Sequence, residues 1–394
     1  MSCRCGFAKK TYLKKKSQVL VITNYRADQQ RSMLRFGELL TSNKNNRENL
    51  VIVQTYPTPV FRKICSIGKF QKWAAYIDKY LLFPKRLKRE FICRKDLFSL
   101  IHIIDHSNSI YLPKLSRMTR AKKIITCHDL IAIKTARADF AQAPKTSKSG
   151  KGLQNWISTC LHHADYYACD SRQTMEDLNR FIPSTKGKSS IIHLGTDADS
   201  STNPNKKALS KDLFIDLHKT KFLLHVGSSA WYKNRKAVFR SFVHAHTSLP
   251  NLNLKLILVG PTPQNEELDG HLTNWIKSNP SAIHNLQNLS ENTLSVLYKY
   301  AQALVFPSFI EGFGWPPLEA AVRGCPVITT RTGAISDLLG CYANYVEADN
   351  QKSIDQEVKH ILVSSESKRD PIILPSHEDC RREYFDLYEQ MMKN

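Results

Sequence analysis

The stretch FPSFIEGFGWPPLEAAVRGCPVI, residues 306–328, decides the reading of this chain. It opens on the end of an apolar run (ALVFPS, 303–308) and passes through a loop with two glycines and a glutamate (Glu311, Gly312, Phe313, Gly314). Two prolines then suit the first turn of a helix through LEAAVRG, and the stretch closes on a second apolar run, PVITT. Strand, glycine loop, helix and strand in this order describe one unit of a parallel α/β sheet, with Gly324 placed to end the helix. Glycines let backbone N–H groups approach a ligand, and the start of such a helix is an expected anion site. Glu311 falls in the loop at the strand end, and Glu319, after seven intervening residues, is expected in the first turn of the helix. Carboxylates repel an anion, so both are better aimed at hydroxyl donors than at phosphate. Taken singly, each has a plainer reading as a surface or helix-terminus charge, whereas the combination favours a site.

The same grammar runs outward through the chain. Apolar runs that predict parallel strands recur along the chain: QVLVITNY (18–25), NLVIVQTY (49–56), LIHIID (100–105), KKIITCHD (122–129), YYACD (166–170) and SSIIHLG (189–195) precede FLLHVGS (222–228) and LKLILVG (254–260). Helical patterns separate them, which predicts an α/β protein of two Rossmann-like domains facing a cleft, with ligands beyond the carboxyl ends of the strands. The polar, turn-rich segment 197–212 is the expected boundary. The domains are expected at 1–200 and 213–375, with a linker at 201–212 and a terminal helix at 376–394. The segment 141–152 reads as a surface loop.

At 394 residues the chain is long enough for about two domains. Its 42% hydrophobic and 23% charged residues exclude a disordered or fibrous protein. Lys and Arg number 57 against 35 Asp and Glu, a net charge of +22 that implies an anionic partner. Nucleic acid, an anionic membrane and a phosphorylated substrate all fit; no nucleic-acid-binding signature accompanies the charge, so nucleic acid is not expected. The ten cysteines, with only Cys3 and Cys5 close together, suggest reduced thiols and a cytoplasmic protein, with no metal site. Neither a signal peptide nor an apolar run of about 18 residues is evident, so membrane association would be peripheral, on the inner face.

Cations for the anion site follow FLLHV in VGSSAWYKNRKAVF (226–239), where Gly227 turns the chain. Lys233, after a strand and before a helix, reads as a ligand contact; for Arg235 and Lys236 contact and solvated charge balance. In TCHDL, His128 and Asp129 end a strand where side chains reach the cleft. Asp105 and His106 stand in the same relation to an earlier strand, where ordinary strand-end bonding explains them slightly better. Ser171 reads as a helix cap, and Asp197 with Asp199 as turn residues rather than an Asp-x-Asp metal pair. In residues 69–91, Phe70, Trp73, Ile77 and Leu81 recur at helical spacing among seven Lys or Arg, with more nearby. A helix packed on a sheet is the commoner explanation, an anionic membrane surface the second.

These motifs resemble the retaining, GT-B-fold glycosyltransferases of family 4, or glycosyl transferases group 1. PSFIEGFGWPPLEAAVRGCPVI looks like their E-x7-E motif, and HVGSSAWYKNRKAV like their Val-Gly strand end followed by a diphosphate-binding Lys. TCHDL, CDSRQTMEDL and IIHLGTD are similar in kind and order to the family's first-domain patterns. The resemblance implies a GT-B fold whose C-terminal helix crosses back to the first domain. It implies transfer of a sugar from a nucleotide-diphosphate donor to an acceptor glycan or lipid-linked sugar, with retention and with no metal or other cofactor. It implies that Glu311 holds donor-sugar hydroxyls, Gly312, Phe313 and Gly314 present backbone to the donor, Glu319 grips the ribose and Lys233 neutralises the diphosphate beside Gly227. His128 would act near the reacting carbon, with Asp129 and His106 on the acceptor side, and the loop around Asn288 would lie near the base. One departure stands out: Ser228 occupies a place where many members carry Arg, and Arg235 is the candidate substitute. The contrasting reading is a catalytically inactive protein of the same fold that binds a sugar nucleotide or a membrane surface.

Overall fold

The computed structural model describes residues 17–42, 49–64, 68–93, 98–197, 220–263, 267–364 and 369–393. Two six-stranded sheets organise it. The first contains β1 (Ser17–Ile22), β2 (Leu50–Thr55), β3 (Leu100–Ile103), β4 (Lys122–Cys127), β5 (Tyr166–Cys169) and β6 (Ser189–Ile191), in the order β2-β1-β3-β4-β5-β6. The second contains β7 (Phe222–Val226), β8 (Lys255–Val259), β9 (Ile283–Leu286), β10 (Ala303–Phe306), β11 (Val327–Thr329) and β12 (Asn344–Tyr345), in the order β12-β11-β10-β7-β8-β9. The described pairings are parallel. This is the α/β architecture that the alternation of apolar runs and helical patterns predicts. The central strands read as unbroken apolar runs because both faces are covered: β10 is buried throughout, and so is β3.

In the second sheet the chain goes from β7 outward to β8 and β9, then returns to the other side of β7 to build β10, β11 and β12. Strand order therefore reverses between β7 and β10, and the loops leaving their carboxyl ends flank a crevice of the kind that takes ligands in open α/β sheets. Helix 235–248 covers one side and packs against helix 351–363, with Phe239, Phe242, Leu256 and Ile354 in the core between helices and sheet.

The chain divides into two compact units. The smaller comprises Met1–Ile125, His163–Asp165 and Asp386–Asn394, and the larger Thr126–His162 and Tyr166–Phe385. The end of β4, with His128, thus belongs to the same unit as the second sheet. The terminal helix His377–Lys393 forms as expected after Pro375; within the larger unit Tyr384 hydrogen-bonds Thr126, and within the smaller Tyr388 hydrogen-bonds His102. The expected linker at 201–212, Asp199, Cys3 and Cys5 lie outside the described residues.

Three local expectations are corrected. The segment 141–152 is not all loop, because a helix starts at Lys148 with the Ser147 hydroxyl accepting from Gly150 N–H. Glu319 sits in the second turn rather than the first, because the helix starts at Trp315, ahead of both prolines. Packing of Phe70, Trp73 and Leu81 on the sheet does not occur. The helix through 68–93 buries Ala74, Asp78, Phe83, Leu87 and Phe91 instead, leaving those three exposed.

Candidate active site

The candidate site lies in the larger unit at the β7/β10 switch point. Val226 ends β7, and Gly227 follows where the chain is crowded: a methyl group on its Cα would lie 3.2 Å from His225 Nε2, while one on Gly260 would lie 2.0 Å from the Gly227 carbonyl oxygen. A short 3-10 turn, Trp231–Lys233, then leads through Asn234 into helix 235–248. Asn234 adopts a left-handed conformation (φ 51°), and its side-chain amide donates to the carbonyls of Pro307 and Ala348 at 3.1 and 2.7 Å. Phe309 N–H donates to the Tyr232 carbonyl at 2.8 Å. These bonds lock the loop after β7 to the loop after β10, and they bring Lys233 to Glu311.

The two side chains form a two-pronged ion pair, with Lys233 Nζ 2.8 Å from Oε1 and 2.9 Å from Oε2 of Glu311. Lys233 Nζ also stands 4.8 Å from the centre of the Phe306 ring, a cation–π contact in a half-dry setting. Glu311 is buried, and its N–H donates to Thr332 Oγ1 at 3.0 Å. Gln173 Oε1 accepts from the Gly333 N–H at 2.6 Å and from Thr332 Oγ1 at 3.2 Å, which fixes the other side of the loop. Behind the pair, His225 is fully buried; desolvation lowers its pKa to about 3, so the imidazole is neutral at physiological pH, with Nδ1 bonded to the Val305 carbonyl.

Gly312 is required by proximity rather than by backbone angle. A methyl group on its Cα would lie 2.0 Å from the His128 carbonyl oxygen and 3.1 Å from Asp129 Cβ. Close approach of these two backbones places His128 beside the Glu311 loop. Gly314, by contrast, is left-handed (φ 85°) and directly precedes the helix Trp315–Ala321. Phe313 is buried, with its ring 6.2 Å from that of His193.

His128 is buried at the end of β4, with Nδ1 3.2 Å from Asp170 Oδ2. Asp170 ends the apolar run of β5. Burial raises its pKa to about 6, although the His128 bond works in the opposite direction. The Asp170 backbone carbonyl is 2.9 Å from His193 Nδ1, so one aspartate organises two imidazoles. Chemically this is an oriented histidine beside a carboxylate–ammonium pair: groups able to accept from hydroxyls and donate to an oxyanion within one loop cluster.

The sequence-derived residues separate into two sets. Gly227, Lys233, Glu311, Gly312, Phe313, Gly314 and His128 come together in this cluster. The others have different work. Arg235, buried, stands 3.2 Å from Glu267, and Lys236 stands 3.5 Å from Asp269. Glu319 accepts from the Tyr298 hydroxyl at 3.1 Å. Asp129 accepts from the Ile131 N–H at 2.9 Å, a local turn bond just ahead of the helix that follows. His106 lies in the smaller unit, 3.4 Å from Asp105, whose carboxylate accepts from Asn24 and Ser107. Ser171 caps helix 172–181 by accepting from Thr174 N–H, and Asp197 pairs with His377. Asn288 is left-handed (φ 56°) in the loop after β9, where the neighbouring Gln287 donates to Thr262. Ser228 Oγ accepts only weakly from Ala230 N–H at 3.4 Å. Asp170, His193, His225 and Gln173 escape sequence reasoning. Of these, Asp170 had a signal, a strand-end aspartate in YYACD.

Comparison with known proteins agrees with this geometry. The family model for glycosyl transferases group 1 matches residues 208–373. D-inositol 3-phosphate glycosyltransferase of Corynebacterium glutamicum is 26% identical over 227 residues, covering 56% of this chain and 53% of that protein. The O-antigen chain mannosyltransferase RfbU of Salmonella typhimurium is 31% identical over 156 residues, covering 39% of this chain and 42% of that protein. The chain thus matches about half the length of these relatives. Among solved structures, sucrose-phosphate synthase from Thermosynechococcus elongatus superposes with a TM-score of 0.69 at 16% identity, covering 96% of this chain and 100% of that one. Anabaena Alr3699/HepE in complex with UDP and glucose gives a TM-score of 0.66 at 11% identity, covering 95% and 100%. Identities this low carry the fold alone; in sequence, residues 208–373, which hold Lys233, Glu311 and Glu319, match the family model for glycosyl transferases group 1.

Proposed function

We propose that the protein is a glycosyltransferase that moves a hexosyl group from a nucleotide-diphosphate sugar to an acceptor hydroxyl, with retention at the anomeric carbon. The observation that carries the reading is the Lys233–Glu311 pair held against Phe306 at the strand-order reversal. A carboxylate gripped by an ammonium keeps lone pairs for sugar hydroxyls. The ammonium in turn can exchange one carboxylate oxygen for a phosphate oxygen as charge grows on the leaving diphosphate. Gly312 and Gly314 supply close-approaching backbone for the donor, and Glu319 a carboxylate for ribose. His128, oriented by Asp170, hydrogen-bonds the sugar near the reacting carbon. The names of the relatives, an O-antigen chain mannosyltransferase and a D-inositol 3-phosphate glycosyltransferase, favour a cell-surface glycan or a lipid-linked or phosphorylated sugar as acceptor.

Retention is proposed on the family match and not on a residue placed under the sugar as nucleophile; attack and departure on one face is the route in keeping with it. The test is a screen of UDP-, GDP- and ADP-hexoses by thermal shift, followed by proton NMR of the product's anomeric configuration. An α-donor yielding an α-linked product, lost in Glu311→Gln, supports the proposal. An inverted product refutes retention, and donor binding with no hydrolysis or transfer to any acceptor supports the inactive-binder reading.

A further inference from the structure

The smaller unit carries an apolar and cationic face that its own core leaves uncovered. Residues 68–93 form one continuous helix in which a π turn, Asp78–Leu82, joins two α segments. The buried side steps through Ala74, Asp78, Phe83, Leu87 and Phe91, and the five-residue step from 78 to 83 is the extra residue of the π turn, which keeps this side in line. Asp78 fixes the rotation. Its carboxylate is buried and accepts from the Tyr25 hydroxyl and from the N–H groups of Val60, Phe61 and Arg62.

Away from that side Trp73, Leu81 and Ile92 face solvent, Trp73 at 66% and Ile92 at 70% exposure, and Phe70, one turn before buried Ala74, is exposed near the start of the helix. Between them along the same stripe stand exposed Lys85 and Lys88, flanked by Lys72 and Arg89. Residues 60–93 contain nine Lys or Arg and two acids. Both acids are engaged: Asp78 is the buried anchor, and Glu90 pairs with Arg86. Trp73 continues inward as an aromatic ladder, edge-on to Tyr76 at 6.0 Å, which stacks on Tyr80 at 5.4 Å.

We infer that this face docks on an anionic lipid bilayer, with the helix lying in the plane of the headgroups. Apolar and aromatic side chains alternate with lysines along a single ridge, so the first can sink below the headgroups while the second remain at the phosphates. An acidic protein partner would instead have to supply a groove for the whole ridge. The inference rests on the smaller unit alone and stands independently of the sugar-transfer reading.

The test is sedimentation of the full chain with vesicles of phosphatidylcholine, with and without phosphatidylglycerol, at low and high salt. Binding is expected only to the anionic vesicles. It should weaken by at least about tenfold in Lys85→Glu/Lys88→Glu and in Trp73→Ser/Leu81→Ser. Because these side chains are exposed, thermal melts of both variants should match the parent, and donor binding in the other unit should be unchanged. Failure of the parent to bind, equal binding to neutral vesicles, or full binding by both variants overturns the inference. Retention on immobilised polyglutamate without vesicle binding does so too, reassigning the face to an acidic protein.

Discussion

Lys233 Nζ lies between the carboxylate oxygens of Glu311, 78 residues on in sequence, 2.8 Å from one and 2.9 Å from the other, joining the loops after two strands that are adjacent in the sheet. A pair that acts as a unit gives non-additive losses. Glu311→Gln and Lys233→Met should each reduce transfer by about 100-fold or more, since each disrupts a group meeting the developing charge. The double variant should be little worse than either single one. Glu311→Gln also leaves a largely buried ammonium without its counter-charge, which should cost about 3 kcal/mol in a denaturant melt. Steady-state kinetics and urea unfolding of the three variants check this; fully multiplicative rate losses would show the two groups acting separately.

Gly312→Ala tests the backbone crossing at His128. The added methyl group would meet a carbonyl oxygen at 2.0 Å, and neither backbone can yield without moving Glu311 or His128. Activity should be lost and the melting temperature lowered by several degrees, as expected for about 1–3 kcal/mol of overpacking. Gly152→Ala is the matched control, at an exposed helical position with nothing within 4 Å, and should be neutral or stabilising by up to about 1 kcal/mol.

The sequence could reveal the strands around this site because buried parallel strands are unbroken apolar runs. It was silent where that signal is missing: β9, half-buried, alternates in IHNL, and β12 has only two residues. Glu311, Lys233 and the glycine loop were legible because each sits at a strand end marked by local turn chemistry. Their mutual ion pair was not, because it depends on Asn234 bridging to Pro307, a contact set by sheet order. Helical spacing correctly found the amphipathic segment at 69–91 but assigned its core face wrongly, since the burial of Asp78 decides the rotation and a buried carboxylate has no apolar signature. Asp170 escaped for a similar reason: its partner, His128, ends a different strand 42 residues earlier.

The cation at the diphosphate can be tested at two positions. Arg235 is buried against Glu267, and burial lowers its pKa, so Arg235→Met should destabilise the fold while changing donor affinity less than Lys233→Met does. Ser228 is exposed in the loop after β7, and Ser228→Arg should tighten nucleotide-diphosphate binding by about threefold to tenfold, the effect of one added charge-assisted contact of roughly 1 kcal/mol. Titration calorimetry with the free nucleotide diphosphate reads both. A larger loss of affinity in Arg235→Met than in Lys233→Met would transfer the diphosphate contact to Arg235.

Asp170 gives the site a pH signature. Its folded pKa, raised to about 6 chiefly by burial, exceeds the ordinary aspartate value, so the folded state holds this proton more tightly than the unfolded chain. The associated stabilisation is fully present below the unfolded value of about 4 and is lost as pH rises through about 6. Transfer should depend on the same group in the opposite sense, because only the carboxylate form holds His128 through a charge-assisted bond. The acid limb of kcat/KM should therefore fall off near pH 6. In Asp170→Asn the limb should flatten or move, the plateau should drop about tenfold or more through misorientation of His128, and the stability change between pH 4 and pH 7 should shrink. An unaltered acid limb in Asp170→Asn would remove Asp170 from the titration that controls activity and leave it a packing residue.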